Sequence, residues 1–138
     1  MAVHTALLRL STRGDGDVVD LSPGLAEVLR TCGLSRGVVT VFVEGSTAAV
    51  TTMEHEPGGV ADLRAALERL VPAGDDYEHN RRNADDNAHG HLRASLVGPS
   101  VSVPLVDGRL VLGTWQQVVL LDFDTRPRER RVHVQVVG

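Results

Sequence analysis

Aromatic side chains make up only 3% of this chain: one Trp, one Tyr and two Phe among 138 residues. That scarcity argues against a base-stacking surface for nucleic acid. The formal charge of −4 also removes the basic footprint a polyanion would require. No nucleic-acid partner is expected. Cysteine is nearly absent too. Cys32 alone allows no intramolecular disulfide and no cysteine zinc knuckle. It follows Leu25, Val28 and Leu29 on an apolar helical pattern, so it reads as a small core residue. No window approaches the roughly 18 apolar residues of a membrane span. The opening MAVHTALLRLSTRGDG has no charged start, apolar h-region or cleavage site. A cytoplasmic protein without a membrane partner is expected.

What is present is ordinary for a globular domain: 42% apolar and 23% charged residues. The length suits one domain spanning residues 1–138 that buries a core built from Val, Leu and Ala. VHTALLRL (3–10) and DVVDL (17–21) read as strands around a Gly14-Asp15-Gly16 turn. Ser22-Pro23 starts a helix, with Ser22 as N-cap, that ends at Gly33. GVVTVFV (37–43) is a β-branched run suited to a strand buried on both faces. STAAVTTM (46–53) follows so closely that a hairpin or neighbouring strands are expected. Pro57 opens a second helix with Val60, Leu63, Leu67 and Leu70 at helical spacing, and Pro72 stops it. AGDDYEHNRRNADDN has no period and reads as a long loop. A third helix then runs to Gly98-Pro99. The remainder is β: SVSVPLV, an Asp107-Gly108 turn, RLVLGTWQQVVLLDF, and RRVHVQVVG with Val132, Val134 and Val136 on one face. The expected class is α+β, a mostly antiparallel sheet with about three helices.

Two of the six histidines fall in the stretch Ala88-His89-Gly90-His91. Residues advance by about 100° each on a helix, so His89 and His91 point about 200° apart and cannot share a metal. Ala88, Leu92 and Leu96 form the expected core stripe. His91 lies on one shoulder with Asn87 and Ala94, and His89 on the other near Arg93. His79 lies a dozen residues earlier in Tyr77-Glu78-His79-Asn80. Two histidines brought together by a loop and a helix start make two legs of a metal site, with Asp85 or Asp86 to orient them. Spacing alone leaves this level with the plainer reading of two solvated loop histidines.

Several further stretches carry a resemblance. They are Ser100-Val101-Ser102-Val103-Pro104-Leu105 with Asp107-Gly108, then Gly113-Thr114-Trp115-Gln116, and His91-Leu92-Arg93-Ala94-Ser95. To these add Tyr77 with His79, and Thr47-Ala48-Ala49-Val50-Thr51 with Glu54 and Pro57. On these residues the chain resembles the YjbQ-like family, whose members are described as secondary thiamine-phosphate synthases. The resemblance implies a compact α+β fold, a homotrimer with clefts between subunits, and a divalent metal, zinc or magnesium, held by histidines of three motifs. Two of these carry over, as His79 and His91; His89 is not at a position the family pattern needs. The third motif departs, with Gly45 where the family has histidine. Met53-Glu54-His55 stands for the family's Asn-Glu-Asn, so Glu54 alone is kept. Glu44, His55 or water are the available replacements for the missing donor.

The implied reaction joins hydroxymethylpyrimidine diphosphate to a thiazole phosphate and releases diphosphate. Glu54 and Asp86 would be the orienting or proton-handling carboxylates, and Asn87, Thr47 and Gln116 polar contacts to a small phosphorylated metabolite. Trp115 would serve packing or a cleft wall. The rival is a non-catalytic trimeric member whose metal site Gly45 has degraded. A weaker third reading is a divalent-metal-dependent phosphohydrolase.

Overall fold

Alternating valines decide the architecture. In the computed structural model, which describes residues 1–138, Val132, Val134 and Val136 are fully buried on one face of a long strand. Arg131, His133 and Gln135 face the other way, as period-two patterning requires. The elements are β1 (Val3–Thr12), β2 (Asp17–Asp20), α1 (Ser22–Thr31), β3 (Gly37–Val43), β4 (Ala48–Met53) and α2 (Pro57–Leu70). There follow α3 (Glu78–Asn83), α4 (Ala88–Val97), β5 (Ser100–Val106), β6 (Arg109–Leu110), β7 (Gln117–Asp122) and β8 (Arg128–Val137). A five-stranded sheet has the order β1-β8-β3-β5-β6 and a three-stranded sheet the order β2-β7-β4. Every pairing is antiparallel. The chain is thus the expected α+β domain.

The larger core lies between the sheets. Val39, Val41, Val103 and the β8 valines meet Val50, Val118 and Leu120, with Leu21, Leu25 and Val28 of α1 closing one side. Each such side chain is worth about 1.5–3 kcal/mol of burial. Cys32 is half-buried against this core. A smaller core behind the three-stranded sheet joins Ala49, Val119, Leu121 and Phe123 to Leu67 of α2 and Ala94 of α4.

Five expectations are corrected. First, β3 is buried on one face only: Val38 and Phe42 remain 47% and 42% exposed. It lies mid-sheet, but nothing in the chain covers the outer face of the five-stranded sheet. Second, β3 and β4 are not partners. The bend Glu44–Thr47, with Gly45 at φ +111°, carries the chain from one sheet to the other. Third, there are four helices rather than three. The polar stretch holds α3, a single turn and a half without an apolar stripe, ended by Ala84 in the left-handed region. Fourth, α1 begins one residue early, with Leu21 at the cap and the Ser22 N–H donating to Asp20.

The fifth correction matters most for the site. Leu92 and Leu96 are 44% and 66% exposed, whereas Ala88, His89, Gly90, Arg93 and Ala94 are the buried residues of α4. A Cβ on Gly90 would stand 2.6 Å from the Phe123 carbonyl oxygen. The helix has therefore turned its smallest residues to the sheet, and backbone-to-backbone approach has overridden the leucine stripe.

Candidate functional site

The turn between α3 and α4 brings His79 and His91 together, with ring centroids 4.6 Å apart and planes tilted by 47°. One side-chain oxygen organises this corner. Asn80 Oδ1 accepts the first backbone N–H of α4, from Ala88 at 3.1 Å, and stands 3.1 Å from His79 Nδ1. An oxygen acceptor facing Nδ1 selects the tautomer protonated there, leaving Nε2 with its lone pair free. Tyr77 is held by a bond from its hydroxyl to the Pro72 carbonyl at 2.6 Å. The resulting cavity, about 260 Å³, is lined by Tyr77, Glu78, His79, Ala88, His91 and Leu92.

Two imidazoles bound at about 2.0–2.1 Å to one tetrahedral zinc would have centroids roughly 5 Å apart. The observed spacing fits that demand. Within the chain the donor set stops at two, because no group of three or more His, Cys, Asp or Glu converges to hold a metal. The position of the absent third histidine explains itself. Gly45 has a positive φ, and a Cβ there would lie 2.8 Å from Arg130 Nη1. Both side-chain replacements point elsewhere within one chain. The Glu44 carboxylate pairs with His133 Nε2 at 2.6 Å, which holds it below the usual carboxylate range. His55 lines a separate cavity with Arg13, Asp17 and Arg64.

The remaining predicted residues fall into two groups. Thr47 and Asn87 are buried in a charged network rather than open to a ligand. Thr47 Oγ1 donates to Asp124 at 3.1 Å and accepts from Arg130 Nη2 at 2.8 Å, while Asn87 Nδ2 reaches Asp124 at 3.4 Å. Arg130 holds Asp122 through two bonds of 2.7 and 2.8 Å, and Arg128 holds Asp124 at 2.9 Å. Burial works to raise the Asp124 carboxyl. The Thr125 backbone N–H, Arg128, Thr47 and Asn87 outweigh it and bring the pKa down to about 2. Asp86 is exposed beside this network and accepts from the Thr125 hydroxyl at 3.1 Å. Glu54 and Gln116 lie just past the far end of β4, about 23 Å along the strand from Thr47 at about 3.3 Å per residue. There Gln116 donates to Thr52 at 3.0 Å. Trp115 packs against nothing substantial and is 73% exposed.

His89 is turned into the protein. It is only 6% exposed, its Nδ1 has no partner, and burial together with the Arg93 charge lowers its pKa. Sequence reasoning also missed Asn80, Asp122, Asp124, Arg128 and Arg130. One signal was available for four of them: Asp122 with Asp124 and Arg128 with Arg130 repeat at strand spacing where apolar residues would be expected.

The family model for UPF0047 protein YjbQ-like matches residues 6–138. The chain belongs to the UPF0047 family of YjbQ-like proteins. A UPF0047 protein of Methanothermobacter thermautotrophicus is 38% identical over all of this chain and 94% of its own length. One from Archaeoglobus fulgidus is 40% identical over 94% of this chain and 98% of its own. Among solved structures, a "YbjQ-like protein of unknown function" from Sulfolobus solfataricus matches with a TM-score of 0.93 and 31% identity. That match covers 99% of this chain and 98% of the other. A hypothetical protein from Aeropyrum pernix matches with a TM-score of 0.90 and 35% identity over 98% of both. The whole fold of this UPF0047 member is therefore shared with its relatives, the α3–α4 corner included in the matched span.

Proposed function

We propose that this UPF0047 protein is a metal-dependent transferase of the secondary thiamine-phosphate synthase kind, acting on small phosphorylated metabolites as a homotrimer. The observation that carries the proposal is the His79–His91 pair, close enough to share one ion and with His79 already oriented by Asn80. Imidazole donors favour zinc over magnesium. When bound, the metal would supply positive charge where a diphosphate leaving group departs. His79 and His91 would hold it, with Ala88 and Leu92 forming the apolar part of the lining. Asp86, Asn87 and Thr47 border the same end of the sheet, with Asp86 as the exposed carboxylate. In one chain Glu54 and Gln116 lie at the other end of β4, so a part for them at this corner requires a neighbouring copy. The missing third donor comes from that copy or from water.

The test is turnover. Protein purified without chelator and given hydroxymethylpyrimidine diphosphate and thiazole phosphate should release diphosphate, and His91→Ala should abolish that release. Equal turnover in the variant contradicts the proposal. A specific observation supports the second reading, a non-catalytic trimeric family member. The Gly45 backbone and Arg130 behind it leave no room for the family histidine. Absence of turnover in zinc-loaded wild type would favour that reading.

A further inference from the structure

The bend that lacks a histidine is rich in something else: hydrogen-bond donors without acceptors. The backbone N–H groups of Gly45, Ser46 and Thr47 donate to no backbone or side-chain acceptor of the chain. Behind them stands Arg130, 7% exposed. Its Nε and Nη2 are committed to Asp122 and Thr47, while Nη1 has no partner. Nη1 is not sealed from solvent, since it is absent from the buried polar atoms left unsatisfied. It lies 2.8 Å from the place a Cβ on Gly45 would take, so only glycine leaves it approachable from the exposed bend. On the α4 side, Gly45 and Ser46 line a cavity of about 180 Å³ with Ser95 and Ala94. Ser95 is four residues after His91, one helical turn along the same face.

We infer that the Gly45–Thr47 bend is a receptor for a tetrahedral oxyanion, the phosphate or diphosphate group of a small metabolite. Successive main-chain N–H groups form anion-binding concavities, and a guanidinium edge matches phosphate oxygens. The acceptor-only character of a phosphate suits a site rich in donors: the exposed Gly45 and Ser46 N–H groups, Arg130 Nη1, and the Ser46 and Ser95 hydroxyls, which can donate. Glu44, the nearest carboxylate in sequence, is drawn off by His133 at 2.6 Å and Arg131 at 3.9 Å. Asp122 balances the charge of Arg130, so recognition rests on donors more than on net charge. The site lost as a metal ligand at position 45 is thereby gained as an anion contact. The inference takes its phosphorylated ligand from the function proposed above, but it requires no metal.

The experiment is a titration of metal-free, full-length protein with orthophosphate and diphosphate at constant ionic strength, followed by amide and arginine Nε NMR signals. Reading it without metal separates its failure from failure of the His79–His91 proposal. Saturable shifts are expected at Gly45, Ser46, Thr47 and Arg130, with diphosphate saturating at the lower concentration. In Gly45→Ala, whose Cβ blocks Nη1, these shifts should be lost while the remaining spectrum is kept. Non-saturating shifts, shifts spread equally over exposed arginines such as Arg131, or an undiminished response in Gly45→Ala would overturn the inference. Should Gly45→Ala fail to fold, the wild-type titration decides alone: saturation confined to the bend supports the receptor, and its absence refutes it.

Discussion

The charged network around Arg130 and the histidine corner at α3–α4 are both polar clusters, yet they differ in how far the chain satisfies them. In the network almost every charge has a partner within the chain: Arg130 with Asp122, Arg128 with Asp124, and Thr12 and Thr47 filling remaining valences. It ties the ends of β1, β7 and β8 and the Glu44–Thr47 bend, and so clips the two sheets together. In the corner, the His79 ring has one hydrogen bond, to Asn80, and the His91 ring with its centroid 4.6 Å away has none. A cluster whose charges are paired spends most of its chemistry on structure, with Arg130 Nη1 the donor it leaves over. An unsaturated one keeps it for a ligand.

Cutting the saturated cluster should do the greatest damage. Asp122→Ala leaves the buried Arg130 guanidinium without its bidentate partner, and loss of one member of a buried pair costs about 3–5 kcal/mol. Urea unfolding reads this; a loss under about 1 kcal/mol would mean the network is relaxed or solvated. Gly90→Ala comes next. Helix propensity alone would favour alanine by about 1 kcal/mol. The added methyl meets the Phe123 carbonyl at 2.6 Å, and overpacking costs about 1–3 kcal/mol, so net destabilisation is expected. The same substitution should weaken metal retention, because α4 must lift and carry His91 with it. Thermal unfolding beside zinc content checks both.

How much of this contrast was legible in the sequence depended on periodicity. The β8 alternation of Val132, Val134 and Val136 announced a half-buried strand, and the structure has it. The helix Pro57–Leu70 was legible from its proline start and its leucines. His79 and His91 were singled out by the family resemblance, since spacing alone left them level with two solvated loop histidines. The network was not, because its members come from four segments far apart in the chain, and single polar residues in strands look like solvent-facing ones. The face of α4 was misread for a different reason. Leucines usually point inward, but Gly90 and Ala94 permit a closer approach to the sheet than leucine allows. The α3 helix escaped because six polar residues carry no stripe; its ends hold it, through Tyr77 and Asn80.

Acid sharpens the comparison with a smaller effect. The Asp124 carboxyl is depressed from 3.8 to about 2 in the folded state. Its contribution to stability is therefore complete above about pH 4 and is lost as pH falls through about 2. Unfolding measured from pH 5 to pH 2 should show this loss in the wild type and a flatter profile in Asp124→Asn. An unchanged slope would remove Asp124 from the network's account. The smallest effect concerns the exposed face of α4. Leu96 is 66% exposed. Leu96→Ser should change the stability of an isolated chain by no more than about 0.5 kcal/mol. A larger, concentration-dependent loss would show that another copy covers this helix.

The central claim is that the corner is the ligand-holding region and that His91, not His89, serves it. Zinc per chain, measured on protein purified without chelator, tests this most directly in wild type, His79→Ala, His91→Ala and His89→Ala, each checked for folding. The account predicts bound zinc in the wild type, its loss in His79→Ala and His91→Ala, and its retention in any folded His89→Ala. Wild-type zinc that survives removal of both His79 and His91 would contradict it.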